Sequence, residues 1–181
     1  MKYDLKQIEF KNEKRFLSNM YPTKIIFSED FLKDFEPYEF LKRKGIIADN
    51  EIYLSSEHLY QALKSESKKW QKLIRDTDKP EKTKNLAQKK LKTLLADNEN
   101  TFLIREDWHD IKIDVMRVCV YLKFAQNGIL LTKLRMAEYK FEERNCWGDK
   151  FWGTVNGIGE NWLGKILHET KYILEQHFKN P

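Results

Sequence analysis

Two carboxylates in this chain stand where chemistry could be done, Glu57 within SSEHLYQALK (Ser55 to Lys64) and Asp149 within GDKFWG, a stretch that runs on into GIGENWLG. Two carboxyl groups facing one ligand can divide acid–base work, one stabilising positive charge or activating water, the other orienting the ligand or passing a proton. Indoles such as that of Trp152 offer flat surfaces for a nucleobase or for the apolar face of a sugar. Helical spacing places Glu57, Gln61 and Lys64, at i, i+4 and i+7, on one face, with Leu59, Ala62 and Leu63 turned toward another. Ser55 or Ser56 is placed to cap that helix, and a first-turn carboxylate is stabilised by its positive end. The plainer reading is that Glu57 only stabilises a helix start and pairs with Lys64 or solvent.

Asp149 belongs to NCWGDKFWGTVNGIGENWLGK, which carries three of the five tryptophans and most of the glycines. Glycines let a ligand approach the backbone closely. Asp149 and Trp152 are three apart, so one turn of chain aims both into one cavity, and Asn161 is placed to cap a final helix whose free N–H groups would suit a phosphate. The plainer reading is a glycine-rich corner pinned by buried tryptophans, with Asp149 as a turn residue. Neither a phosphate-loop nor a dinucleotide fingerprint is present. His58, His109, His168 and His177 are scattered without metal-ligand spacing, so no metal and no cofactor is expected. No nucleophile-elbow pattern surrounds a serine, and Cys146 has no His partner in the sequence.

The elements that must hold these residues are mostly helical. QIEF (Gln7 to Phe10) and TKIIF (Thr23 to Phe27) read as short strands flanking FLSNMYP, and EIYL as another just before Ser55. Residues 28–50 have weak periodicity and read as an insertion with one short helix, covering part of a site. Asp78 and Glu81 have capping-box spacing around Pro80, predicting a helix to about Leu95. Ile113, Met116, Val120 and Phe124 mark a buried central helix from Ile111 to Gln126, with Met116 and Cys119 as core. Helices over GILLTKLRMAE and from Asn161 to Phe178 complete an α+β, predominantly helical single domain with a few short strands.

With 181 residues, 41% of them hydrophobic, the chain suffices for one core. No apolar run approaches the roughly 18 residues of a membrane span, and the N-terminus lacks signal-peptide character. The expectation is a cytoplasmic protein with free Cys119 and Cys146 and no membrane partner. Net charge is +5, and KPEKTKNLAQKKLK (Lys79 to Lys92) gathers several ammonium groups on one helix, a surface that draws polyanions. Aromatics do not interleave with these lysines, so the helix steers a substrate without stacking on it.

FLSNMYP, SSEHLYQALK, LKFAQN, and GDKFWG with GIGENWLG resemble, in order and spacing, the blocks of the NADAR family, the YbiA-like N-glycosidases. The resemblance runs from Phe16 to about Leu174. It implies Glu57, Trp108, Asp149 and Trp152 as the site, with Glu57 and Asp149 catalytic. It further implies that Ser18, Asn19, Lys64, Lys123, Gly153 and Asn161 line or support the pocket. The implied reaction is hydrolysis of the bond between a ribose anomeric carbon and an amine nitrogen. One implied substrate is ADP-ribosylated guanine in DNA, RNA or a nucleotide, the other a phosphoribosylamino-pyrimidinone of riboflavin synthesis. Functional pairing with an ADP-ribosyltransferase toxin is left open, as is a non-catalytic reader of ADP-ribose or nucleic acid. LTKLRMAE replaces the Thr-Gly that many relatives carry after the central helix, and residues 28–50 are longer than usual, departures that bear on substrate preference.

Overall fold

The computed structural model describes residues 12–93 and 101–179, and the strand expected at Gln7 to Phe10 lies outside them. The chain divides into two compact units, Asn19–Gln126 on the one hand and Asn127–Pro181 with Met1–Ser18 on the other.

In the unit Asn19–Gln126, strands β1 (Ile25–Ile26) and β2 (Ile52–Tyr53) pair antiparallel, Ile25 opposite Tyr53 and Ile26 opposite Ile52. Alternation along a strand sends Ile25 and Tyr53 into the core and leaves Ile26 and Ile52 exposed. The far edge of β1 is met by a side chain. The Ile26 N–H donates to Gln126 Oε1 at 2.8 Å, and Gln126 Nε2 donates to the Ile26 carbonyl at 2.7 Å.

Between the strands run a 3-10 turn capped by Ser28 and helix α1 (Glu36–Arg43), which has a proline in its first turn. The short helix expected within residues 28–50 is therefore present. The segment also supplies core, because Leu32, Phe35, Tyr38, Leu41 and Ile46 are buried and Phe35 stacks on Tyr121 at 4.2 Å.

Helices α2 (Ser56–Ala62), α3 (Lys68–Arg75) and α4 (Pro80–Lys90) follow, then β3 (Leu91–Lys92) and β4 (Phe102–Leu103), which pair in parallel, and α5 (Trp108–Ala125). α3 has no counterpart among the sequence expectations, since only Trp70 and Ile74 are buried apolar residues in its Lys-rich run. It is tied to α2 by the buried Trp70 indole, whose Nε1–H donates to the Gln61 carbonyl at 2.8 Å. The Asp78–Glu81 capping box does not form. α4 begins at Pro80 with Lys79 in the cap position and no side-chain cap bond, while Asp78 pairs with Lys82 at 2.6 Å in the open. α4 also stops at Lys90, because Leu91 turns extended to start β3. α5 is the central helix, packed against α1 and α2. From Val118 to Phe124 every residue is buried, a helix enclosed on all faces there.

In the other unit, a 3-10 helix spans Asn12–Leu17 and α6 (Gly128–Arg135) is capped by Asn127, whose Oδ1 accepts from the Leu130 N–H at 3.1 Å. α6 packs on α7 (Trp162–Lys179), which buries Leu163, Ile166, Leu167 and Leu174. Among the described residues no helix is long and apolar enough to cross a membrane.

Candidate active site

Ser55 starts α2 from an extended conformation, and its hydroxyl accepts from the His58 N–H at 3.2 Å while lying 2.8 Å from His58 Nδ1. The other ring nitrogen, Nε2, lies 3.2 Å from the Thr77 carbonyl and must donate to it. This assigns the proton to Nε2 and leaves Nδ1 to accept from the serine hydroxyl. Burial lowers the His58 pKa, in keeping with a neutral structural histidine.

All seven residues of α2 are buried, so its polar face is turned inward and not toward solvent. Glu57 is 7% exposed. Gln61, one turn on, donates from Nε2 to Glu57 Oε1 at 2.7 Å, a charge-assisted bond. The Glu57 N–H donates to the Asn19 carbonyl at 3.1 Å, and the Asn19 side chain donates to Met116 Sδ at 3.0 Å. The Cys119 thiol lies in the field of Glu57, and its pKa stands well above the ordinary value, chiefly through burial and further through that negative charge.

Lys64 completes the face. Its ammonium lies 5.0 Å from the Tyr60 ring centre and 5.7 Å from that of Trp108, and the two rings meet edge to face at 5.1 Å. Burial lowers the Lys64 pKa, with Glu57 opposing the shift and Lys84 of α4 reinforcing it. The expected residues Asn19, Glu57, Lys64 and Trp108 are thus brought together within one unit. Lys123 is fully enclosed, with its ammonium 5.7 Å from the ring of Tyr21, two residues along from Asn19. Burial pushes its pKa down to about 7.

Two contributors escaped the sequence. Tyr60 carries the i+3 spacing from Glu57 that would have placed it beside the face. Arg105 has no sequence signal at all, yet its N–H donates to the Lys64 carbonyl at 2.9 Å and its own carbonyl accepts from the Trp108 N–H at 3.2 Å. Its guanidinium is fixed by Asp107 at 2.9 Å and the Lys44 carbonyl at 2.7 Å. Arg105 therefore braces the two residues that bracket the aromatic wall. It also borders an open polar cavity of about 880 Å³ lined by Ser65, Ser67 and Thr101, among others.

Asp149, Trp152, Gly153 and Asn161 belong to the other unit, as does Ser18, whose N–H donates to the Arg15 carbonyl at 3.0 Å. One oxygen of Asp149 accepts from the N–H groups of both Phe151 (3.0 Å) and Trp152 (2.9 Å). Asn145 clasps the same residue, accepting its N–H at 3.0 Å and donating to its carbonyl at 2.6 Å. The Trp152 ring meets Phe151 edge to face at 4.9 Å. Gly153 is required by close packing, since a Cβ there would run into the Glu143 carbonyl. The close approach is to the protein's own backbone.

Asn161 does not cap α7 with its side chain. Its Oδ1 accepts from the Glu143 N–H at 3.0 Å and its Nδ2 donates to the Phe141 carbonyl at 2.9 Å, stitching the preceding segment to the helix start. The N–H groups of Asn161, Trp162 and Leu163 go to the carbonyls of Gly153, Phe151 and Trp152. The phosphate site expected at this helix end is thus occupied by the loop's own carbonyls. Among the described residues no group of three or more His, Cys, Asp and Glu is placed to hold a metal ion.

A mostly helical fold with two short strand pairs and a buried first-turn glutamate defines a recognisable class. The solution structure of the Escherichia coli protein YbiA shares the fold, with a TM-score of 0.70 at 22% identity over 96% of this chain and 86% of that one. The NADAR domain matches residues 8–175, and the chain belongs to that family. A riboflavin biosynthesis protein of Vibrio vulnificus is 31% identical over 81% of this chain, which spans only 36% of that relative's length. An N-glycosidase YbiA of Shigella flexneri is 29% identical over 76% of this chain and 81% of its own length, and that of E. coli K12 is 28% identical over 70% and 73%.

Proposed function

We propose that this protein is an N-glycosidase that hydrolyses the bond between a ribose anomeric carbon and an amine nitrogen on a guanine- or pyrimidinone-like ring. The observation that carries this reading is the buried Glu57 carboxylate, held by Gln61 beside Lys64 and the Tyr60–Trp108 wall. The name N-glycosidase carried by the YbiA relatives supports the class of bond. In the reaction the C1′–N bond breaks and positive charge grows on the sugar. Water forms the new bond to C1′, and its proton ends on the departing amine. A carboxylate about 4 Å from that charge, at an effective dielectric near 20, is worth roughly 4 kcal/mol, on the order of a thousandfold in rate. Glu57 fills that role and guides the water. Asp149 gives one carboxylate oxygen to the N–H groups of Phe151 and Trp152 and so orders the turn that carries Trp152.

The preferred substrate is guanine bearing ADP-ribose, in nucleic acid or as a nucleotide. Lys64, Lys84 and the lysines of α4 favour an anionic pyrophosphate and a nucleic-acid strand. The second reading, a phosphoribosylamino-pyrimidinone, is favoured by the name of the Vibrio relative. Mass-resolved incubation with both substrates, without added metal, separates them. Release of ADP-ribose with restored guanine supports the first, cleavage of the pyrimidinone alone the second. Tight binding of ADP-ribose with no product from either would make the protein a reader. If α4 guides a strand, rising salt slows cleavage of the modified oligonucleotide far more than cleavage of the matching nucleotide. Equal salt sensitivity removes α4 from the reading.

A further inference from the structure

The amide of Gln61 can stand only one way round. Its Nε2 lies 2.7 Å from Glu57 Oε1, and the flipped amide would set a carbonyl against a carboxylate oxygen. Its own Oε1 is left buried, in a residue 3% exposed, with no hydrogen-bond partner among the described residues. The same is true of Oδ1 of Asn19, a residue 7% exposed, whose amide donates to Met116 and whose backbone carbonyl receives the Glu57 N–H. Buried acceptors are seldom kept without a donor. Here two of them accompany one carboxylate, so a ligand seated beside Glu57 with hydrogen-bond donors for Gln61 Oε1 and Asn19 Oδ1 would satisfy both.

The inference rests on the reading of the site as a ribosylamine hydrolase. In such a substrate two donors lie within two bonds of the reacting anomeric carbon, the 2′-hydroxyl on the adjacent ring carbon and the N–H of the linkage itself. The linkage N–H departs with the amine, so an acceptor on it follows the leaving group and not the ring on which positive charge grows. An acceptor on the 2′-hydroxyl works with the reaction, because that hydroxyl becomes a stronger donor as the ring gains positive charge. We infer that Gln61, assisted by Asn19, accepts the 2′-hydroxyl of the ribose and sets the enzyme's selectivity for ribosylamines over 2-deoxyribosylamines. Gln61 then has two functions through one amide, steadying Glu57 with its N–H and reading the sugar with its carbonyl.

The test compares kcat/KM for matched ribosyl and 2′-deoxyribosyl substrates in the wild type and in Gln61→Met, which keeps the length and removes the acceptor. The greater intrinsic lability of the deoxy linkage cancels when the two ratios are compared, as does any general slowing from loosening Glu57. The ribo-to-deoxy preference should fall by about 10- to 100-fold in Gln61→Met. Asn19→Ala should lower it by a smaller factor, and serves alone should Gln61→Met fail to fold. An unchanged ratio, with both substrates still hydrolysed, overturns the inference and leaves the hydrolase reading standing. A substrate methylated on the linkage nitrogen keeps the 2′-hydroxyl and loses the other donor. If Gln61→Met alters discrimination against that substrate instead, the carbonyl reads the linkage and the inference fails. No hydrolysis of any ribosylamine by the wild type overturns the function and the inference together.

Discussion

Glu57 sits on a helix of seven buried residues and meets a neighbouring side chain, whereas Asp149 gives one oxygen to two N–H groups of its own loop. The first carboxylate is held by one side-chain bond from its own helix, and its surroundings keep unused acceptor capacity in Gln61 and Asn19. The second is engaged in fixing the backbone from Asp149 to Trp152, and the carbonyls of that backbone in turn close the start of α7. A carboxylate that organises its own chain builds shape, while one anchored from the side remains available to a ligand. On the function proposed above, the difference favours Glu57 on α2 as the reacting carboxylate and gives Asp149 the task of ordering its own loop.

The largest effect that would sharpen this contrast is on rate. Glu57→Gln should fold normally and lose about a thousandfold in kcat, roughly 4 kcal/mol, and turnover at the wild-type rate would remove Glu57 from the mechanism. Next comes a stability effect with a sign set by burial. Lys123 titrates at about 7 in the folded protein against an ordinary 10.5, so between these values the unfolded chain holds the extra proton. Folding stability therefore rises as pH climbs from about 7 to about 10.5, by on the order of 5 kcal/mol. Lys123→Met should flatten that rise in urea titrations across this range, and a slope retained in the variant would assign it to another group.

Smaller effects belong to the loop. Gly153→Ala forces a methyl group against the Glu143 carbonyl and should cost about 1–3 kcal/mol, and a wild-type unfolding midpoint would contradict the close packing. Asp149→Ala removes the acceptor shared by Phe151 and Trp152 and should cost about 1–2 kcal/mol with a drop in activity. Asp149→Asn keeps a carbonyl oxygen in that place, so stability should stay within about 0.5 kcal/mol of the wild type and activity within about threefold. A hundredfold loss in Asp149→Asn would instead make the carboxylate itself chemically necessary and erase the contrast with Glu57.

Much of this was legible in the residues. Ser55 as the cap of α2, the shared face of Glu57 and Gln61, and most of α5 follow from local rules of capping and helical spacing, whereas Lys64 lies past the C-cap Leu63 and α5 starts at Trp108, ahead of the expected Ile111. What was illegible depended on tertiary packing. α3 shows too thin an apolar stripe for periodicity to find, because its anchor is one tryptophan bonded to α2. The start of α4 was displaced because Pro80 fixes the first turn while Asp78 finds Lys82 instead of a backbone N–H. Within residues 28–50 buried aromatics meet α5 in an irregular order, which masks a core segment as an ornament. In the site, the spacing of Asn161 suggested a cap and that of the helix start an anion site, but both capacities were consumed by the loop folding back on α7. No spacing rule reports Arg105, whose role exists only through carbonyls from distant parts of the chain.

The side chain of Gln126 reproduces on the outer edge of β1 the pair of bonds that another strand would make, taking the N–H of Ile26 and donating to its carbonyl. Ile26 and Ile52 are 39% and 50% exposed along that small ribbon, so the edge would otherwise present open backbone next to apolar side chains, a template for a second molecule to add on. One amide at the end of α5 acts as a stopper. Among the described residues it closes the outer edge of a two-stranded ribbon with a greasy face without a charged gatekeeper, so that resistance to edge-to-edge association rests on a single amide.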